Sequence, residues 1–115
     1  MKEKVDMEII SRQDGATVVF NTAALSGSEE IAAASGLIFD YIEKNNPKLL
    51  VVDFEKVKFF SSQVLGMLVN IHNRLERQNG RLLIASINPQ LYRVFRITNL
   101  DKIFQFLPDS ESAVK

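Results

Sequence analysis

The chain contains no cysteine, no tryptophan and a single histidine, His72. Without cysteine there is no disulfide framework, no thiolate metal site and no cysteine nucleophile. One histidine leaves no His-rich metal site and no conventional Ser-His-Asp triad. Net charge is missing too, since 14 Lys and Arg offset 14 Asp and Glu. That balance argues against a strongly basic nucleic-acid binder or an acidic tail. No apolar run approaches the roughly 20 residues that span a bilayer. Residues 1–10 carry charges where a signal peptide needs an apolar core. The expectation is a cytoplasmic chain with no direct membrane insertion, no cofactor, no metal and no enzymatic activity.

At 115 residues one hydrophobic core is expected, so 1–115 reads as one domain with a short tail from about 108. The even charge hides an asymmetry. Residues 1–55 hold ten acids and five bases; residues 56–115 hold four acids and nine bases. Within 74–96, Arg74, Arg77, Arg81, Arg93 and Arg96 are set against Glu76 alone. Such a face can attract an acidic partner. No aromatic stacking platform is interleaved with it, and the expectation is solvated arginines on the outer faces of two helices.

Val5, Met7 and Ile9 alternate with Asp6 and Glu8, the period of a half-buried strand. Gln13-Asp14-Gly15 supplies turn chemistry, with Gly15 tolerating positive φ. The β-branched run of residues 16–21 then completes a hairpin. Ser26 stands three residues before Glu29, the capping-box spacing. Ile31, Ala34, Ile38, Tyr41 and Ile42 recur at helical spacing, so a helix is predicted over 28–44, stopped by Asn45-Asn46-Pro47. The run Leu49 to Phe54 suits a central strand covered on both faces.

Ser61-Ser62 opens a second helical period through Val64, Leu65, Leu68, Ile71 and Leu75, which predicts a helix over 62–79 closed by Asn79-Gly80. Residues 81–86 read as another buried strand. Asn88-Pro89 is an N-cap followed by proline at the first helical position. Residues 102–107 are a last strand candidate, and Pro108 to Glu111 could begin a terminal helix. The order β-β-α-β-α-β-α-β means an α/β fold with a mixed sheet and right-handed crossovers.

Four features could carry function. Asp53 ends a central strand, where ligands bind in open α/β sheets, but a phosphoacceptor site also needs an acidic pair and a lysine that the sequence does not supply. A turn role is expected for it. His72 lies near the buried face with no acid or serine at a telling spacing, so a packed histidine is expected. Gly66, inside the second helix, costs about 1 kcal/mol against alanine and is read as permitting close packing of helix on sheet. Ser61-Ser62 either caps orphan N–H groups or presents a phosphorylation site, which a helix N-terminus tolerates.

The stretch from Leu50 to Gly66, LVVDFEKVKFFSSQVLG, resembles the signature of STAS domains, the fold of bacterial anti-sigma factor antagonists. In that signature a "vvDl" strand leads into a "DSSGLg" turn and helix. The resemblance continues through Gly80 to Ile84, Asn88-Pro89 and Val94 to Phe104. It implies a regulatory protein that binds an anti-sigma factor, a serine kinase of histidine-kinase-like ATPase fold. Phosphorylation of the first serine of "DSSG", which aligns with Ser62, would switch that binding, with Ser61 as the alternative acceptor. The implied contact surface comprises Asn21, Thr22, Ala23, Ala24, Phe60, Ser61, Ser62, Gln63, Val64, Ile87, Asn88 and Pro89. The sequence departs from the signature: Ser61 stands for its Asp, Gln63 for its second serine and Val64 for its glycine. These departures keep open a second expectation, a scaffold that binds constitutively in a signalling complex or a lipid-transport ATPase assembly.

Overall fold

Alternation and a tight turn pair the first two strands. In the computed structural model, which describes residues 5–108, β1 (Met7–Ser11) runs antiparallel to β2 (Gly15–Phe20). Gly15 is not needed there for a positive φ, since no described glycine has one. A Cβ at Gly15 would strike the carbonyl oxygen of Leu49 on the neighbouring strand. Close approach of two backbones therefore requires glycine.

The remaining long strands, β4 (Leu49–Asp53), β6 (Arg81–Ala85) and β7 (Gln105–Leu107), join in the order β1-β2-β4-β6-β7, all parallel from β2 onward. Because successive parallel strands are added in one direction, right-handed crossovers put their helices on one face. The buried residues of α1 (Ser28–Asn45), α2 (Ser62–Arg77) and α3 (Pro89–Ile97) accordingly share one core with Ala16, Val18, Phe20, Leu50, Val52, Leu82 and Ile84 of the sheet. Val51, Leu83 and Ala85 form a smaller cluster on the opposite face. The run 49–54 is thus buried on both sides, as its near-continuous apolar character predicts.

The α1 and α2 boundaries match expectation within two residues, but not every expected cap forms. The N-cap of α1 is Gly27 and makes no side-chain bond, so the Ser26–Glu29 box does not form. Asn46 takes the left-handed conformation that ends α1. At the end of α2 it is Asn79, not Gly80, that takes positive φ. Gly80 is needed because a Cβ there would lie 2.9 Å from the Pro47 carbonyl oxygen. The Asn88-Pro89 reading holds: the Asn88 side chain accepts the Leu91 N–H at 2.9 Å.

Two elements have no sequence period. β3 (Ala24–Leu25) and β5 (Phe59–Phe60) pair in parallel as a separate two-stranded sheet. The last strand is shorter than expected, because a 3-10 turn over Leu100–Lys102 comes first and Phe104 turns into the core against Phe95 and His72. The terminal-helix candidate reaches beyond Pro108, outside the described residues. Among those described, no helix is long and apolar enough to cross a membrane.

Candidate functional site

The surface around Ser62 is built where β4 runs out. Asp53 is buried, and its Oδ1 accepts the Glu55 N–H at 2.8 Å, which turns the chain away from the sheet. The expected turn role for Asp53 is therefore observed. Phe54 stays anchored by donating its N–H to the Ala85 carbonyl. Its ring joins a row of aromatics, Phe20–Phe54–Phe60–Phe95, with centroids 5.7, 5.7 and 5.9 Å apart. This row is the floor on which the following loop rests.

Backbone bonds then gather three loops. Lys58 and Phe59 both donate to the Ala23 carbonyl, and Ser61 donates to that of Leu25. Lys56 Nζ reaches Asn21 Oδ1 at 3.2 Å. From the other side, Asn88 Nδ2 donates to the Val57 carbonyl at 3.3 Å. The segments 21–24, 60–64 and 87–89, expected to share a surface, do lie at one end of the sheet.

Not all of their residues reach that surface. Phe60 and Val64, expected in the contact surface, are buried, with Val64 at 0% exposure. The alternation within β5 turns Phe60 into the aromatic row and leaves Phe59 outward at 56% exposure. Val64 lies on the core-facing stripe of α2 with Leu68 and Ile71. Ala23, Ala24, Ser62, Gln63 and Pro89 are exposed, while Asn21, Thr22, Ile87 and Asn88 are half-buried. Phe59 and Gly66 extend the exposed patch, whereas the expectation for Gly66 is helix-on-sheet packing. That reading is corrected: Gly66 is exposed, and a Cβ there would meet nothing within 4 Å.

The two serines are not equivalent. Ser61 is the N-cap residue, but its hydroxyl makes no capping bond; Oγ is buried without a hydrogen-bond partner. Ser62, the first residue of α2, is exposed. Neither serine supplies the side-chain cap that one of them would need to justify a purely structural role. The first turn of α2 also contains no acid, whereas that of α1 holds Glu29 and Glu30. The positive end of the α2 dipole is therefore left without a neighbouring carboxylate in its own turn. Beside it, Ser28 Oγ donates to Gln63 Oε1 at 3.0 Å and ties the starts of α1 and α2 together. No local signal could have exposed this bond across 35 positions.

The other candidates fall elsewhere. His72 packs edge-on against Phe104, and its Nε2 lies 3.8 Å from Glu76 Oε2, an acid one turn away that the spacing argument overlooked. Arg77, Arg93 and Arg96 are exposed on α2 and α3 and Arg74 is half-buried, while Arg81 opens β6 and donates to Gln105 at 2.7 Å. Among the described residues no three His, Asp or Glu side chains come together as a metal-ligand set.

Comparison with known proteins agrees with this architecture. A family model, the STAS domain, matches residues 8–113. A Thermotoga neapolitana relative that bears the name of an anti-sigma factor antagonist homolog is 33% identical over 81 residues, 68% of this chain and 69% of that one. A STAS-domain containing protein of Pseudomonas aeruginosa is 25% identical over 59 residues, which span 51% of this chain and 58% of the relative. Among solved structures, the anti-sigma-factor antagonist (STAS) domain protein of Planctomyces limnophilus superposes with a TM-score of 0.84 at 19% identity, covering 94% of each chain. The Bacillus cell fate determinant SpoIIAA in its phosphorylated form gives 0.74 at 18% identity, over 94% of this chain and 96% of that one.

Proposed function

The chain belongs to the STAS domain family, and from that premise we propose that it is an anti-sigma factor antagonist-like regulatory module whose partner binding is switched by phosphorylation of Ser62. The reading takes residues 1–115 as one cytoplasmic domain without enzymatic activity. Its partner is an anti-sigma factor that is also the serine kinase. The observation that carries it is the exposed Ser62 at the open N-terminus of α2, beside the outward Phe59. Buried Oγ removes Ser61 as an equal competitor. The phosphorylated form of the Bacillus protein, alike in fold, is consistent with a modification of this kind.

The energetics favour a switch in binding and not in folding. A phosphate adds about −1.5 to −2 charges. Backbone N–H groups at a helix start stabilise such charge by about 0.3–1 kcal/mol, so the fold is retained. Burying the same dianion in a protein contact costs several kcal/mol. At about 1.4 kcal/mol per tenfold, a penalty of about 3 kcal/mol is more than a hundredfold in affinity.

The replacement of the signature's Asp by Ser61 favours a second reading, a constitutive STAS scaffold whose same surface is never modified. Incubation with the cognate kinase and ATP, followed by mass spectrometry, separates the two. Phosphate on Ser62, lost in Ser62→Ala with the complex still forming, is the expected result. No phosphate on either serine, with a stable complex, establishes the scaffold instead.

A further inference from the structure

At the opposite end of the sheet, the β1–β2 turn and the α1–β4 connection border an open cleft of about 390 Å³, within the size range of small-molecule sites. Its walls are fixed by backbone contacts. Arg12 N–H donates to the Gly15 carbonyl at 2.6 Å, and Lys48 N–H to that of Asp14 at 3.0 Å. Asn46 N–H closes α1 on Ile42 at 2.9 Å.

The charges around this cleft are not spent on one another. Arg12 and Lys48 both line it, yet neither forms an ion pair with Asp14, which also lines it, or with any other acid among the described residues. Arg12 is held by its Nε, which donates to buried Thr17 Oγ1 at 3.1 Å, so its terminal nitrogens keep their donors. Neutral hydrogen-bonding groups complete the lining. Ser11 Oγ and Tyr41 Oη lie 3.1 Å apart, and Asn45 Nδ2 donates to the Tyr41 carbonyl, leaving its own Oδ1 as an acceptor. Among the lining residues, only Tyr41 and Pro47 carry an aromatic or apolar side chain.

We propose that this cleft binds a small polyhydroxylated anion, a sugar phosphate or a sugar acid. Arg12 and Lys48 take the anionic group. Asp14 and the Asn45 carbonyl oxygen accept hydrogen bonds from hydroxyls, and Ser11 and Tyr41 can donate or accept. A lone carboxylate is too few oxygen ligands for a divalent cation, and the polar lining gives an apolar ligand little to bury against. The cleft shares no residue with the Ser62 surface, so the inference stands independently of the proposed switch.

The test is an amide NMR titration of the whole chain with glucose 6-phosphate, glucuronate, inorganic phosphate and glucose. Saturable shifts confined to residues 11–15, 41 and 45–48, with a Kd on the order of 1 mM or tighter, are expected for glucose 6-phosphate, glucuronate or both. Whichever binds tighter identifies phosphate or carboxylate as the anionic group. Inorganic phosphate and glucose should each bind at least about tenfold more weakly. Arg12→Gln and Lys48→Gln should each weaken binding by about tenfold or more. Lys48→Gln removes an exposed side chain that makes no described contact and should fold normally. No saturable shift at the cleft would overturn the proposal. So would equal affinity for inorganic phosphate, or undiminished binding by the folded Lys48→Gln variant.

Discussion

Beneath the end of the sheet that carries Ser62, aromatic rings pack against one another; at the end where β2 and β4 begin, backbone presses on backbone. The upper end rests on the Phe20–Phe54–Phe60–Phe95 row, whose rings meet in stacked and edge-on pairs. The lower end depends on Gly15 lying against the Leu49 carbonyl and Gly80 against that of Pro47. Side-chain packing can relax around a change of shape. Two backbones in contact leave no such freedom. The difference fits the two ends' proposed uses, a broad contact surface above and a small preorganised cleft below.

The sharpest way to break this comparison is at Gly15. Gly15→Ala would drive a methyl group into the Leu49 carbonyl oxygen, and relief means parting β2 from β4. We expect a loss of at least about 3 kcal/mol, read as failure to fold or a collapsed urea midpoint. A variant as stable as wild type would show that the lower end tolerates side chains after all.

The aromatic row predicts a graded response. Phe54→Ala removes a fully buried ring and should cost about 3–5 kcal/mol. Phe54→Leu keeps much of the volume and should be markedly milder. Denaturant unfolding of both variants measures the ratio. Equal losses would mean that the ring contacts, more than the filled volume, hold the upper end together.

The contrast also explains what could be read in advance. Helical period locates α1 and α2, an unbroken apolar run locates β4, and a cap locates α3, because Ile31–Ala34–Ile38 and Val64–Leu68–Ile71 repeat along one helical face and Asn88-Pro89 fixes a start. Two-residue strands have no period, so β3 and β5 were invisible, and with them the alternation that sends Phe59 out and Phe60 in. The helical repeat itself identified Val64 as core, but the family motif drew it into the contact surface. Glycines were misread at Gly15, Gly66 and Gly80. Composition signals that a Cβ is absent, not whether φ, a neighbouring backbone or open space is the reason. The phosphoacceptor candidates were legible as a pair. Which hydroxyl is exposed depends on the rotation between N-cap and first helical residue, and on Leu25 holding the Ser61 backbone.

The smallest expected effect separates the surface from the scaffold. Gly36 and Gly66 both lie within helices, both are exposed, and a Cβ on either would meet nothing within 4 Å. Glycine in a helix interior costs about 0.5–1 kcal/mol against alanine. Gly36→Ala and Gly66→Ala should each therefore stabilise the protein by about that amount, a rise of a few degrees in Tm. Their effects on binding should differ. Gly66 sits one turn beyond Ser62 on α2, on the surface proposed to meet the partner, where an added methyl group would hold the partner's backbone away. Gly36, two turns into α1, lies outside that surface. Calorimetry on both variants, paired with affinity for the partner, checks the distinction. Gly66→Ala should gain stability and lose affinity, while Gly36→Ala gains stability alone. If Gly66→Ala binds as tightly as wild type, the contact ends at the loop bearing Phe59 and Ser62 and does not run along α2.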